Sequence, residues 1–547
     1  MTSRKTDLTS NPDLSDHALG TGATRRQRPS YVDFLPPCNN ACPAGEDIQG
    51  WLSLAQAGKN QEAWEKLTEE NPMPAIHGRV CYHPCESGCN RTSIDSAVSI
   101  HSIERFLGDM AIAQNWTFTP PGTISGKRVL IIGAGPSGLS AAYQLARMGH
   151  EVSIFEAGPM AGGMMNFGIP AYRLPRNVIR SEIGRIEDLG VTIKLNYKVE
   201  DVLAEKEAGN FDSVFIAIGA HIGKKTDIPA RDAGKILDAV SFLKDVELGN
   251  APHIGRRVAI YGGGNTAMDA ARTAKRLGAD EALIIYRRDR EHMPAHDFEA
   301  DEALSEGIKI HWLRTIKNLD ETSITVEKME VRDGKPYPSG EFETLEADSV
   351  ILALGQNTET SFLKNIEAIE FKEDGTVVVD NNMMTGHDGI FAGGDMVPSE
   401  RTVTIATGHG KKAARNIDSW LRKTSYEKAA SNPLVSAKQL HVWYRTHSDA
   451  KPQSHIEPEI AVAGFDEIVA GYTDDEARYE AQRCLSCGNC FECDGCFGAC
   501  PEHAIIKLGP GKRYKFNYNQ CTGCGVCYEQ CPCHAIEMNA ETLEVTA

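Results

Sequence analysis

Residues 128–138 read Arg-Val-Leu-Ile-Ile-Gly-Ala-Gly-Pro-Ser-Gly, and this stretch decides the fold. The apolar run Val129-Leu130-Ile131-Ile132 predicts a strand buried on both faces. It runs into Gly133, Gly135 and Gly138, and the alanine-rich segment 139–148 predicts a helix directly after them. Glycines at this spacing let the backbone approach a pyrophosphate, which then rests on the N–H groups of the helix start. Glu156 ends the next apolar run, at 152–155, where a carboxylate can accept hydrogen bonds from an adenosine ribose. Glycines alone would be a tight turn. Strand, turn, helix and acid together predict a dinucleotide site.

Further along, the pattern repeats with a difference. A strand at 258–261 leads into Gly262-Gly263-Gly264-Asn265-Thr266-Ala267, a helix follows, and the next strand ends Tyr286-Arg287-Arg288. Arginines stand where the acid stood, and a guanidinium pair suits a 2′-phosphate, so NADP(H) is expected over NAD(H). The expected contacts are Gly262, Gly264, Asn265, Thr266, Arg287 and Arg288. Two unequal turns in one chain imply FAD in the first and a nicotinamide in the second. A third segment, Gly389-Ile390-Phe391-Ala392-Gly393-Gly394-Asp395, followed by the small-residue stretch 402–410 with Thr404, reads as strand, turn and helix start. Asp395 is placed to bond a ribityl chain, with the helix N-terminus toward a flavin ring.

Short apolar strands alternate with helices from 127 to 425, which argues for parallel α/β layers. At about 150 residues per domain, the 547 residues suggest three or four domains. The expected division is a flexible tail at 1–34, a helical iron–sulfur domain at 35–125, and an FAD-binding domain at 126–250 and 346–425. An NAD(P)-binding domain at 251–345 is inserted in the last. A linker at 426–483 and a ferredoxin-like α+β domain at 484–547 complete the chain. The fold class is thus multidomain: an α-helical domain, two Rossmann-like α/β domains and a C-terminal ferredoxin-like domain.

Net charge is −18, from 57 basic and 75 acidic residues, which disfavours nucleic acid and anionic membranes as partners. No run approaches the ~18 apolar residues of a membrane span, and the first thirty residues carry no apolar signal region. Of sixteen cysteines, five lie between Cys38 and Cys89, eleven between Cys484 and Cys533, and none between these groups. Two tight clusters flanking a cysteine-free centre suggest metal sites in a reducing, cytoplasmic setting rather than disulfides. The same gap excludes a redox disulfide beside the flavin.

The last fifty residues repeat one string: Cys490-x2-Cys493-x2-Cys496-x3-Cys500-Pro501 and Cys521-x2-Cys524-x2-Cys527-x3-Cys531-Pro532. This is the spacing of two [4Fe–4S] clusters, in which the fourth ligand of each comes from the other string. Cluster one is expected on Cys490, Cys493, Cys496 and Cys531, and cluster two on Cys500, Cys521, Cys524 and Cys527. Zinc is the competing reading. Cys484, Cys487 and Cys533 are surplus, and the first two continue the every-third-residue rhythm, so a shifted ligand set is an alternative.

The combination Asn71-Pro72, Gly78-Arg79-Val80-Cys81, Cys85-Glu86, Gly162-Gly163, Gly168-Ile169-Pro170, Arg173-Leu174-Pro175 and Arg287-Arg288…Met293-Pro294 resembles the small subunit of glutamate synthase. The same residues resemble the electron-bifurcating transhydrogenase large subunit and the N-terminal half of dihydropyrimidine dehydrogenase. The resemblance spans about residues 35–425, and it implies FAD contacts by Gly163 and Arg173 as well. That family carries two N-terminal [4Fe–4S] clusters and opens with a Cys-x2-Cys pair. Here only Pro36 and Pro37 precede Cys38. A helix carboxylate or amide supplies one ligand in the family, and the matching residue is Glu104. The resemblance therefore implies one N-terminal cluster on Cys42, Cys81, Cys85 and Glu104, with Cys38 and Cys89 as remnants of a lost one. The competing reading of Glu104 is an exposed helix carboxylate, and His77 and His83 are read as structural. Three [4Fe–4S] clusters are expected in all.

These readings converge on an FAD- and iron–sulfur-dependent NAD(P)H oxidoreductase, a subunit of a hetero-oligomer. The expected partner is a 2-oxoacid:ferredoxin oxidoreductase or a ferredoxin. The alternatives are a glutamate synthase small subunit and a non-catalytic iron–sulfur scaffold.

Overall fold

A computed structural model describes residues 25–541 except 225, 227, 230–234 and 444. The expected tail therefore lies outside the described residues up to 24.

The N-terminal domain is built on helices Ile48–Gln56, Asn60–Thr68, Pro74–Val80 and Ile100–Ala113, with the short helices Pro37–Ala41 and Pro84–Ser87 beside them. Their apolar stripes bury Trp51, Leu52, Trp64, Leu67, Ile76, Ile103 and Leu107. Gly78 and Gly108 set the closest crossing. A Cβ on Gly78 would meet the Arg105 backbone, and one on Gly108 would meet Ala75.

The first parallel sheet has the order Ile390–Ala392, Ser213–Ile216, Arg128–Ile132, Glu151–Phe155, Thr192–Lys194. Helix Pro136–Arg147, which follows the first glycine turn, packs along helix Val403–Arg422. Gly410 lets them touch, since a Cβ there would collide with the Ser137 carbonyl oxygen.

The second parallel sheet has the order Lys309–Trp312, Glu281–Tyr286, Arg257–Tyr261, Ser349–Leu352, Lys235–Asp238. Two of these strands lie outside the expected 251–345. Ser349–Leu352 is buried throughout and pairs on both edges, with Arg257–Tyr261 and Lys235–Asp238. The inserted domain thus extends from the Ile222–Gly223 strand to the Gln356–Asn357 strand, which pair antiparallel where the chain crosses between domains. One face of its sheet carries helices Ala239–Glu247, Asn265–Arg276 and Asp297–Ser305. The other carries an antiparallel meander, Arg314–Leu319, Ser323–Arg332 and Lys335–Glu346, whose Ile316, Leu319 and Val326 pack on Ala259, Leu283 and Ile285.

The expected linker is a strap. Its helix Asp474–Gln482, capped by Thr473, packs on Ile48–Gln56 and Ile100–Ala113 and buries Ala477, Glu480 and Ala481. The end of the expected tail is a strand. Gln27–Tyr31 pairs antiparallel with Ile536–Ala540 of the ferredoxin-like unit. Arg25 ion-pairs with Glu541 at 2.7 Å, and Tyr31 stacks on Phe516 at 4.8 Å. A polar tail orders here because the C-terminal unit presents an unpaired strand edge. Among the described residues no helix is long and apolar enough to cross a membrane.

Candidate functional site

The first glycine turn is built as expected. Gly133 has φ +104°, and a Cβ on it would collide with the Ala217 carbonyl. A Cβ on Gly138 would collide with the Gly133 oxygen. Gly135, at the N-cap of helix Pro136–Arg147, has no atom within 4 Å of its Cβ direction, so its face is open. A Cβ on Gly163, at φ +55°, would lie 3.0 Å from the Gly135 Cα. The Glu156 carboxylate accepts from the Ala134 and Gly158 N–H groups, both at 2.7 Å, which holds it beside the turn. No side chain caps the helix, and the Ser137 hydroxyl is buried without a partner. An uncapped helix start, an open glycine face and an orphaned hydroxyl fit a bound pyrophosphate.

A Cβ on Gly394, at φ +73°, would lie 3.1 Å from the Ser137 Cβ, and the Gly394 N–H donates to His409 Nδ1 at 3.2 Å. Beside it, burial pushes the Asp395 carboxyl up to about 6, against the pull of Arg401. Thr404 is buried in the first turn of helix Val403–Arg422. It lies close enough to the Cys81 thiol to offset part of the rise that burial imposes there.

Arg173 departs from its expected place. Its Nη1 bonds both Asp269 oxygens, at 2.9 and 2.8 Å, and its Nη2 meets Glu299 at 2.5 Å. Both acids belong to the inserted domain. The guanidinium is spent on joining the two domains, because its fork satisfies two carboxylates buried with it.

The second turn repeats the first. Gly262 has φ +151°, Gly264 is open and caps helix Asn265–Arg276, and Thr266 lies half-buried in its first turn. Asn265 reaches instead into the helical domain, donating to the Tyr82 hydroxyl at 2.6 Å. Tyr82 stacks on His296 at 3.9 Å. Arg287 is exposed and Arg288 half-buried at the end of strand Glu281–Tyr286. The Arg288 Nε is buried without a partner, a donor suited to an anion.

The N-terminal ligand set converges. Glu104 is buried, only 6% exposed, which removes the exposed-carboxylate reading. Asn71 Nδ2 donates to both Glu104 and Glu46 at 2.9 Å. Burial, then Glu46, pushes Glu104 well above the usual carboxylate range, and burial lifts Glu46 to about 7. The thiols of Cys42, Cys81 and Cys85 each face Glu104, and burial pushes all three up, Cys81 to about 12. Sequence reasoning missed Glu46, which lies beside Cys42 and whose charge helps push that thiol up, because nothing local separates it from a surface acid. His77 is structural as read: burial lowers it to about 3, and its Nε2 meets the Thr407 hydroxyl at 3.0 Å. Thr404 and Thr407 both lie on helix Val403–Arg422, and a Cβ on the same helix's Gly408 would strike the Pro43 carbonyl. The proposed flavin helix and the Cys42 loop are therefore in direct contact. Because Gly78 sets the distance between Cys81 and Glu104, Gly78→Ala should cost about 1–3 kcal/mol of stability by overpacking. It should also lower the iron bound per FAD. Unchanged iron and unchanged denaturation would show that the crossing tolerates a methyl.

In the C-terminal unit, Cys490, Cys493 and Cys496 all face Cys531. Cys500, Cys521, Cys524 and Cys527 line one pocket, with Pro29 and Phe516. The residues of the two expected sets are thus brought together, whereas Cys484 and Cys487 face Cys89. Cys533 is buried, with its sulfur 3.8 Å from that of Cys531. A tetrahedral zinc site with Zn–S near 2.3 Å would bring its thiols to about 3.8 Å from one another. Among the described residues, no group of three or more ligand atoms within 4.8 Å of one another includes a cysteine. The wider sets suit polynuclear clusters.

Two dinucleotide turns on separate parallel sheets, with thiol sets before and after them, define an iron–sulfur flavoprotein. The pyridine nucleotide-disulphide oxidoreductase model matches residues 127–410, a dihydropyrimidine dehydrogenase domain II 4Fe-4S cluster model matches 32–116, and a 4Fe-4S binding domain model matches 514–537. The NADP(+)-dependent formate dehydrogenase subunit beta of Moorella thermoacetica is 35% identical, covering 88% of this chain and 75% of that one. The NADPH-Fe(3+) oxidoreductase subunit beta of Geobacter sulfurreducens is 32% identical over 84% of this chain and 76% of its own. The Glutamate synthase [NADPH] small chain of Escherichia coli is 32% identical over 71% and 89%. The chain belongs to the pyridine nucleotide-disulphide oxidoreductase family, in the branch similar to the glutamate synthase small chain and extended by a ferredoxin motif. It is an FAD- and iron–sulfur-dependent NAD(P)H oxidoreductase without the redox disulfide that the family name carries.

Proposed function

We propose that this chain is the NADPH-dependent flavin subunit of a larger cytoplasmic complex, exchanging electrons with a partner enzyme through its ferredoxin-like unit. The observation that carries this reading is the contact of helix Val403–Arg422 with His77, four residues before Cys81, and with Pro43, next to Cys42, which supports electron exchange between a flavin at that helix and a cluster on those thiols. FAD, when bound, exchanges hydride with a nicotinamide and single electrons with iron–sulfur clusters. The chain's own residues position these groups. Gly133, Gly135, Gly138 and Glu156 would hold the FAD, with Gly394 and Asp395 on its far side. Gly262, Gly264 and Thr266 would seat the nicotinamide nucleotide, and Arg288 would take its 2′-phosphate. The similarity to an NADP(+)-dependent formate dehydrogenase subunit and an NADPH-Fe(3+) oxidoreductase subunit favours the same nucleotide.

The partner we favour is a 2-oxoacid:ferredoxin oxidoreductase, because the fused 2[4Fe–4S] unit is the kind of carrier such enzymes use. A formate dehydrogenase catalytic subunit is the second reading, favoured by the similarity to the Moorella chain. Isolating the native complex decides between them: a thiamine-diphosphate enzyme supports the first, a formate-oxidising subunit the second. An FMN amidotransferase would instead mean glutamate synthase. NADPH-dependent dye reduction by the purified chain alone is expected, and its absence would leave only a cluster scaffold.

Deleting residues 490–547 should leave flavin bleaching by NADPH at its full rate and abolish turnover with the partner. Both dinucleotide turns lie between 127 and 425, whereas the two C-terminal thiol sets begin at Cys490. Stopped-flow bleaching beside partner turnover checks this. Full turnover by the truncated chain would remove the C-terminal clusters from the path.

A further inference from the structure

Besides Cys533, whose sulfur lies beside that of Cys531, four cysteines serve none of the three ligand sets above: Cys38, Cys89, Cys484 and Cys487. The fold gathers them. Cys38 lies in helix Pro37–Ala41, Cys89 immediately precedes the turn Asn90–Ser93, and Cys484 and Cys487 follow the strap helix. Neighbours of each are tied to neighbours of the others. Arg91 donates to the Arg483 carbonyl at 3.1 Å, and Arg483 in turn meets Asp95 at 3.0 Å and the Ser96 carbonyl at 2.7 Å. Phe34 N–H donates to the Gly488 carbonyl at 3.1 Å, and Asn489 returns a bond to the Phe34 carbonyl at 3.2 Å. Gln56 donates to the Ala481 carbonyl at 2.7 Å. Inside this frame the Cys38 thiol faces those of Cys484, Cys487 and Cys89, and burial and their proximity push it well above the ordinary thiol range. Cys484 and Cys487 face each other, and both face Cys89.

The backbone of the Cys484 turn carries a second, independent sign. In the two ferredoxin turns, the second residue after the first cysteine is left-handed, at Glu492 (φ +58°) and Gly523 (φ +70°). So is the residue after the second cysteine, at Asp494 (φ +66°) and Gly525 (φ +81°). The Cys484 turn repeats this at Ser486 (φ +51°) and Gly488 (φ +77°). Its N–H geometry repeats too: Ser486 N–H points at Cys484 Sγ at 3.4 Å, as Gly523 N–H points at Cys521 Sγ at 3.4 Å. A serine held left-handed is uncommon, and an array of N–H groups around a sulfur is the kind of nest found at iron–sulfur sites. The thiols stand free, and no three of them are close enough for one zinc ion.

We infer that Cys38, Cys89, Cys484 and Cys487 hold a fourth [4Fe–4S] cluster, with the strap supplying the two thiols that Pro36 and Pro37 cannot. Binding takes four thiols to thiolates, with their protons released to solvent. The cluster fastens the helical domain to the start of the ferredoxin-like unit, so that unit is docked rather than swinging on a tether. Cys38 and Cys89 are then working ligands and not remnants.

The inference rests on the reading of the chain as an iron–sulfur flavoprotein, and iron counting separates the two. Anaerobically purified full-length chain should carry about sixteen irons and as many acid-labile sulfides per FAD. Cys484→Ser/Cys487→Ser should carry about twelve, and Cys38→Ala/Cys89→Ala the same about twelve, each losing one signal from the reduced EPR spectrum. Cys533→Ser should keep about sixteen. Where a variant fails to fold, anaerobic alkylation of the unaltered chain replaces it. All four thiols should be protected until a chelator strips the iron. Wild-type iron near twelve, stoichiometric zinc, or ready alkylation of Cys484 and Cys487 while Cys490 stays protected overturns the fourth cluster alone. A chain that binds no iron overturns it together with the proposed function.

Discussion

Replacing Arg287 and Arg288 together by alanine is expected to lower kcat/KM for NADPH about a hundredfold while leaving NADH nearly unchanged. A charge-assisted bond to phosphate is worth on the order of 1.5–3 kcal/mol, and each 1.4 kcal/mol is about tenfold. Arg288 should carry most of the effect, since its Nε is buried without a partner, whereas Arg287 is exposed and screened by solvent. Single substitutions should therefore be unequal, with Arg288→Ala the larger. Equal losses for NADPH and NADH would mean that neither arginine reads the 2′-phosphate.

The second large effect concerns Arg173. Arg173→Met leaves Asp269 and Glu299 buried beside each other without a cation. Breaking a buried pair from one side costs about 3–5 kcal/mol, because the stranded charge must be desolvated or neutralised. Chemical denaturation of the inserted domain should show that loss. Adding Asp269→Asn and Glu299→Gln to Arg173→Met should recover most of it, since no stranded charge remains. A cost below about 1 kcal/mol for Arg173→Met would show that water or another cation already serves the two acids.

What could be read from the sequence was what neighbours in the chain decide. The glycine turns at 133–138 and 262–264 are legible because a strand, a left-handed glycine and a helix start are consecutive in sequence. The thiol strings from Cys490 to Cys531 are legible because each sets three cysteines in one short turn. Glu104 came through resemblance, and its burial against Asn71 accords with it. The failures share a cause. Ser349–Leu352 is apolar on both faces, so its pattern does not say which sheet it joins. Arg173 stands in a loop whose neighbours point to the flavin, but its acids lie on helices Asn265–Arg276 and Asp297–Ser305. Gln27–Tyr31 is polar and proline-bearing, and only the edge of Ile536–Ala540 makes it a strand. Cys38 and Cys89 looked abandoned because the pair beside them belongs to a strap far along the chain.

The pairing of Gln27–Tyr31 with Ile536–Ala540 also fixes an order of manufacture. Arg25 and Glu541 are 516 residues apart, so the earlier strand waits on the ribosome's making of the later one. At about 5–20 residues per second that wait is roughly 25–100 s. Throughout it the N-terminal edge is unpaired and Cys38 lacks Cys484 and Cys487. The dinucleotide domains in the middle can close before then, since their strands pair among themselves. A chain cut before Ile536 therefore betrays itself far away in sequence, at Gln27–Tyr31, where a protease finds an open strand edge.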